Sequence, residues 1–336
     1  MESAVISSDF VKEAIQPREK ILRYQELLQE DITRLLSDRT LNKTDCPIPG
    51  DRDVVDSFTK LGMKYNISGG SRNIYISPRP TREQLDNFYE QSQARHFWLT
   101  DLWAHTKAER QKIIFNPLLD WITDRISEYL GKENVRVAEF FPNHWGYCLT
   151  ANQRFPRIDY DLVHPLIESQ LLRKAGLTSR CTTNCEVGSM DAIFLFEALE
   201  RTVDPVALLQ QAANSLKPGG LCFITCLLSS GFEVKVLGPG SDIFVPPERM
   251  NVLSYEGMLK LISISASCNI IEFSTPSVLD IPNVLEKVEE TDGFVNYILG
   301  QRQSKELIDS LRIFLQRNRL GTFARLVLQK KKGQGI

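Results

Sequence analysis

The chain has 336 residues, 42% of them apolar and 24% charged, the balance of an ordinary globular protein and not of a disordered one. Lys plus Arg (40) nearly cancels Asp plus Glu (42), so a formal charge of −2 gives no net field toward nucleic acid or an anionic membrane. No apolar run reaches the roughly 20 residues that span a bilayer, and Met1-Glu2-Ser3-Ala4 lacks the start of a secretory signal. The 7 cysteines are sparse and odd in number, which fits thiols kept reduced in a cytoplasm. The pairs Cys181/Cys185 and Cys222/Cys226 lack metal-ligand spacing, and Lys330-Lys331-Lys332 reads as a solvated tail.

In chain order, Ile21, Leu22, Tyr24, Leu27, Leu28, Ile32 and Leu35 recur at three- and four-residue steps. They predict an amphipathic helix that must dock on the body of the protein or on a second copy. Between 46 and 80, Pro47, Pro49, Gly50, Gly62, Gly69, Gly70, Pro78 and Pro80 leave room only for short strands, at Met63–Ile67 and Asn73–Ile76. Thr81, three residues before Gln84, has the spacing of a capping box. A long helix is predicted from Asp101 to Leu130, kinked or broken at Pro117.

After Gly131 strands and helices alternate. Val135–Phe140, Ala192–Phe196, Leu221–Cys226, Asn269–Ser274 and Thr322–Gln329 read as strands. Ile167–Lys174, Pro205–Leu216, Tyr255–Ser265 and Lys305–Gln316 read as helices, the second closed by Lys217-Pro218-Gly219-Gly220. Such alternation predicts an α/β protein: a Rossmann-like parallel sheet covered on both faces, with extra helices before and after it.

The stretch Ser189–Thr225 contains S-M-D-A-I-F-L-F-E-A-L-E-R-T-V-D-P and then L-K-P-G-G-L-C-F-I-T. It resembles the region between strands four and five of class I S-adenosylmethionine-dependent methyltransferases. In that family an Asp opens strand four, an acid follows its end, and L-K-P-G-G turns into strand five. Asp191 and Glu197 hold these two places here. Gly231-Phe232-Glu233, the run from Ser241 to Asn251, Ser274 to Asp280, Tyr75 to Pro80, and Phe97-Trp98 resemble a bacterial subgroup associated with surface polysaccharides and sugar modification. Its members carry an N-terminal zinc ribbon of two C-x2-C pairs.

The resemblance covers residues 20–332 and implies four parts: a helical segment over 1–45, a degenerate ribbon over 46–80, a helical connector over 81–130, and a Rossmann-like methyltransferase domain over 131–332. It implies S-adenosylmethionine as cofactor and a sugar, nucleotide-sugar or related hydroxyl as acceptor.

The departures bear directly on function. Cys46 stands at the first ribbon ligand position, but Pro49, Ser68 and Ser71 stand at the others. One thiolate cannot hold a tetrahedral zinc, so no zinc is expected. After strand one the family has an acid and then G-x-G-x-G, whose glycines let backbone approach the cofactor. Here the run is Glu139-Phe140-Phe141-Pro142-Asn143-His144-Trp145-Gly146. Glu139 keeps the acid and Gly146 the last glycine, while Phe141, Asn143 and Trp145 add side chains and Pro142 removes a donor.

At the end of strand two, Val163 or His164 stands where an acid holds the ribose, and Asp161 reaches that role only through a slip. The cofactor contacts implied are therefore Glu139, Gly146, Asp161, Phe196 and Glu197. The subgroup's two candidate base histidines are Arg201 and Arg249 here, and arginine accepts no proton at neutral pH. Glu248, Glu197 and His144 remain as candidate bases, with His164 a further one. Arg201, Arg249 and Asn251 are the candidate substrate contacts; the arginines could hold a carboxylate or phosphate, or pair with neighbouring glutamates.

Two functions stay open. One is a methyltransferase with a reshaped cofactor loop; the other is a silent member of the fold that serves as partner or scaffold, a homodimer included. A nicotinamide-dependent oxidoreductase needs G-x-G-x-x-G after strand one, which is missing. Whether Phe141 and Trp145 point into the crevice or away from it separates the first two.

Overall fold

The computed structural model describes residues 12–36, 41–132, 134–155, 157–265, 267–276, 278–287, 289, 293–301 and 304–332. Parts of the 1–45 segment, and Ser277 of the Ser274–Asp280 match, lie outside them. Helix α1 (Arg18–Leu35) is followed by strands β1 (Val54–Lys60), β2 (Met63–Ser68) and β3 (Ile74–Ile76), then helices α2 (Arg82–Gln91), α3 (Gln93–Phe97), α4 (Trp103–Arg110) and α5 (Asn116–Leu130). Next come β4 (Val135–Phe140), α6 (Gly146–Arg154), β5 (Ile158–Val163), α7 (Ser169–Lys174), β6 (Cys181–Thr182) and β7 (Met190–Phe196). Then follow α8 (Ala198–Arg201), α9 (Pro205–Ser215), β8 (Leu216–Leu227), α10 (Phe232–Leu237), β9 (Asn251–Val252) and α11 (Tyr255–Ser265). The chain ends with β10 (Cys268–Ser274), α12 (Asp280–Leu285), α13 (Gly293–Val295), α14 (Lys305–Arg317) and β11 (Phe323–Lys330).

The larger sheet has seven strands in the order β10-β11-β8-β7-β4-β5-β6. The five from β8 to β6 run parallel, and β11 lies antiparallel between β10 and β8. The chain winds outward from β4 to β6 and then returns to place β7 against β4. That reversal puts a topological switch point at the carboxyl ends of β4 and β7, where ligands of open α/β sheets bind. This is the Rossmann-like, methyltransferase-type sheet that the sequence implies.

Every residue of β7 is buried, as a strand covered on both faces requires. Its alternate side chains feed two cores: Ile193 and Leu195 belong to the one that also holds Tyr24, Leu28 and Phe88, whereas Ala192, Phe194 and Phe196 belong to the one that holds Trp121, Ile122 and Tyr147.

Helix α1 docks on the body of its own chain through Tyr24, Leu27, Leu28 and Ile32. Its buried Asp31 accepts from Ser92 Oγ (2.7 Å) and the Ala94 N–H (2.8 Å), which caps the start of α3. The capping box at Thr81 and Gln84 forms as the spacing predicts.

Three readings need correction. Strand β1 was not anticipated: it is an edge strand, mostly exposed, and so lacks the half-buried alternation that marks a strand. In the 101–130 run Pro117 sits in the first turn of α5, where its missing N–H is tolerated. Turns of π-helix at Trp98–Leu102 and Gln111–Phe115 flank α4 within one helical run. Residues 217–220 lie inside β8 as a bulge, with Met190 paired to Leu216 and Ala192 to Leu221. Gly219, at φ +81°, supplies the left-handed residue that this bulge needs.

Among the described residues no helix is long and apolar enough to cross a membrane.

Candidate functional site

The loop after β4 crosses the switch point and is covered by rings. Trp98, the first residue of one π turn, stacks on His144 at 5.8 Å between ring centres. Phe115, the last residue of the other, lies 5.4 Å from His144 and 4.7 Å from Tyr147. Tyr147 in turn meets Phe196, at the end of β7, at 4.4 Å, and Trp103 meets Trp145 at 5.5 Å. The π turns close through Trp103 N–H to Trp98 O and Asn116 N–H to Gln111 O. Each inserts one residue into the helical repeat and so aims these side chains at the loop.

A Cβ on Gly146 would stand 2.5 Å from two atoms of the Phe115 ring. The glycine is thus kept to admit this ring.

Two of the loop's own donors are engaged. Phe141 N–H bonds to Val163 O (2.8 Å), and Gly146 N–H bonds to His144 Nδ1 (3.0 Å). Phe141 takes a left-handed φ of +50° and stacks on His164 at 5.5 Å, with the Arg82 guanidinium 4.5 Å from its ring centre. Burial, then the charges of Arg110, Arg201 and Arg95, hold His144 well below the usual histidine range, so its ring is neutral. Glu139 is buried and accepts from Tyr160 Oη (2.7 Å); burial pushes its carboxyl up to about 8.

Beside the rings lies a buried cluster of charges. Glu248 meets Arg95 Nη1 (3.1 Å), Arg201 Nε (3.7 Å) and the Tyr24 hydroxyl (3.4 Å). Glu197, at φ +49°, meets Arg249 Nη2 (3.2 Å) and Arg201 Nη2 (3.4 Å). Burial pushes the Glu197 carboxyl up, but the Arg249 and Arg201 charges outweigh it and hold it below its ordinary value. Arg95 Nη2 also donates to Asn143 O in the loop (2.5 Å), and Arg201 Nη1 donates to Phe196 O (3.1 Å). The cluster ties α1 and α3 to the carboxyl ends of β4 and β7.

Glu197, Glu248, Arg201 and Arg249 therefore come together, and His144, Gly146 and Phe196 meet in the ring cluster. The others stand elsewhere. Asn251 spends its amide on Leu199 O and Thr202 O, and Asp161 pairs with Arg136 Nη2 (3.5 Å) toward the amino end of β4. Asp191 bonds the Arg136 N–H, Lys132 and Lys217 at the opposite end of β7 from the crevice. The sequence did not single out Arg95, Trp103 or Phe115, and Tyr24 read there only as part of an amphipathic helix stripe.

An open cleft of about 590 Å³ lies to one side, at the carboxyl ends of β5 and β6, walled by Arg82, Tyr89, His164, Ile167, Cys181 and Thr182.

No family model matches the sequence, and no curated protein matches it. Solved structures similar in shape include a geranyl diphosphate C-methyltransferase from Streptomyces coelicolor A3(2) in complex with Mg2+, geranyl diphosphate and S-adenosyl-L-homocysteine. It is 12% identical, with 74% of this chain and 97% of that one covered at a TM-score of 0.42. A geranyl diphosphate methyltransferase in complex with SAM is 14% identical (69% and 91% covered, TM-score 0.40). Coclaurine N-methyltransferase bound to N-methylheliamine and SAH is 11% identical (62% and 72% covered, TM-score 0.37). Likenesses this distant carry no weight of their own; the fold is assigned from the strand order above.

Proposed function

We propose that this protein uses the methyltransferase fold without methyl transfer and works as a binding partner or scaffold. The observation that carries this reading is the ring cluster over the loop after β4, with the Phe115 ring seated against Gly146 and the Tyr147 ring against Phe196. These side chains occupy the place where the family's glycine loop lets backbone approach the methionine arm of S-adenosylmethionine. The candidate groups are engaged as well: Glu197 and Glu248 face arginines, and His144 is neutral with Nδ1 already accepting. In-line transfer needs an aligned sulfonium and usually a base for the acceptor proton.

The cleft beside β5 and β6 favours a second reading, a methyltransferase for a sugar-type or related hydroxyl whose rings move aside when cofactor enters. Its 590 Å³ falls within the usual size of a ligand pocket.

Titration calorimetry with S-adenosylmethionine and S-adenosylhomocysteine decides between them. The proposal expects no heat of binding at millimolar ligand. A Kd tighter than about 100 µM, some 5.5 kcal/mol, would overturn it in favour of the enzyme. Phe115→Ala run beside the native chain shows whether the ring is the obstacle, since affinity gained only in the variant places the block at that side chain.

A further inference from the structure

We propose that the small sheet formed by β1, β2, β3 and β9 is held by a carboxylate where a ribbon would hold a metal ion, and that the same cage is convertible to a thiolate zinc site. Two loops converge there, 46–51 and 68–73, and residues 46/49 and 68/71 have the x2 spacing of paired metal ligands. Asp51, from the first loop, sits among the donors of the second. Its Oδ2 accepts from Ser68 Oγ (2.7 Å), Ser71 N–H (3.1 Å), Ser71 Oγ and Asn73 Nδ2 (3.2 Å), and its Oδ1 accepts from the Gly70 N–H (2.8 Å). A Cβ on Gly70 would stand 2.8 Å from that Oδ1, so the close approach of the N–H needs glycine.

Ser68 and Asn73 are fully buried, and Asp51 and Cys46 nearly so. Burial pushes the Asp51 carboxyl up, but the Ser71 and Ser68 hydroxyls and the two N–H groups outweigh it, so it stays ionised. Burial raises the Cys46 thiol, which keeps it protonated; Asn73 Nδ2 lies 3.7 Å from its sulfur. Zinc does not fit this donor set, which offers one thiol, two hydroxyls and a carboxylate already accepting five hydrogen bonds.

The cage also reaches the main domain. Asn73 Oδ1 accepts from the Ser254 N–H (2.9 Å) at the start of α11, and a Cβ on Gly257 would stand 1.9 Å from it. One ionised carboxylate thus does the cross-linking of an ion, and Asn73 passes the constraint to α11. The proposal is independent of whether the protein transfers methyl groups.

The test uses metal analysis and thermal melting of the full chain. The native protein, exposed to zinc and dialysed, should hold no stoichiometric zinc, and its Tm should not move with EDTA. Asp51→Ala should lower the Tm by about 5 °C. The combination Asp51→Gly, Pro49→Cys, Ser68→Cys and Ser71→Cys should bind one zinc per chain, melt lower with EDTA, and give the visible absorption of tetrahedral thiolate when loaded with cobalt. Stoichiometric zinc in the native chain, or an unchanged Tm in Asp51→Ala, would overturn the carboxylate cross-link. A folded four-fold variant that takes no zinc would overturn the convertible cage. The native and Asp51→Ala measurements decide the first claim even where the four-fold variant does not fold.

Discussion

Arg95→Ala should destabilise the protein by about 3–5 kcal/mol, one of the two largest effects anticipated here. Arg95 is 2% exposed, and its guanidinium joins three parts of the chain: Glu248 (3.1 Å), the loop carbonyl of Asn143 (2.5 Å) and the carbonyl of Leu166 (3.4 Å). It also lies 5.4 Å from the Trp98 ring centre and so supports one of the rings that fill the crevice. Truncation leaves Glu248 buried against Arg201 at 3.7 Å and the Tyr24 hydroxyl at 3.4 Å. A buried carboxylate stripped of its shortest ion pair, together with two carbonyls left without this donor, costs far more than a lost surface pair, whose value is about 0–1 kcal/mol.

Chemical denaturation measures this directly. A double variant, Arg95→Met with Glu248→Gln, should cost less than the sum of its singles by at least about 1 kcal/mol, because the groups interact. Additive singles, or an Arg95→Ala loss below 1 kcal/mol, would mean that the cluster is not a structural tie. An arginine kept free for a substrate anion would give that second result.

How far the sequence went depended on whether a feature was local. The apolar run of β7 and the capping box at Thr81 are set by neighbours within a few residues, and both were legible; the glycines at 217–220 were legible as the end of a helix but not as a bulge inside β8. The abnormal loop after β4 was legible too, as a string of rings where glycines belong. Its consequence was not, because the obstacle over Gly146 is Phe115, carried by another helix.

A pattern of three- and four-residue steps cannot register the single inserted residue of a π turn, so the aim of Trp98 and Phe115 was hidden. Arg95 and Asp51 were passed over for a related reason. A charged residue reads as solvated unless its partner is near in sequence, and the partner of Arg95, Glu248, lies more than 150 residues on.

The second large effect is a loss of stability with rising pH. Burial, opposed by the Tyr160 hydrogen bond and Arg201, puts the Glu139 carboxyl at about 8; burial and then the Glu197 charge put Glu200 at about 8 too. Both stand above the ordinary 4.5, so the folded chain binds these two protons more tightly than the unfolded chain. Their contribution is fully present below pH 4.5 and is lost as pH rises through about 8. Each shift corresponds to a loss on the order of 4 kcal/mol across that window.

Glu139→Gln isolates one of the two. The amide oxygen still accepts from the Tyr160 hydroxyl, as the carboxyl does at 2.7 Å, but it has no proton to lose. Urea unfolding from pH 5 to pH 9 should therefore show a steep fall in the native protein and a fall shallower by about 4 kcal/mol in the variant. The variant should be the more stable of the two at the alkaline end. Parallel curves for the two proteins would mean that Glu139 is ionised throughout, with water reaching the space between β4 and β5. The ring-filled crevice predicts that water does not, since Tyr147 and Phe196 close that end of the sheet.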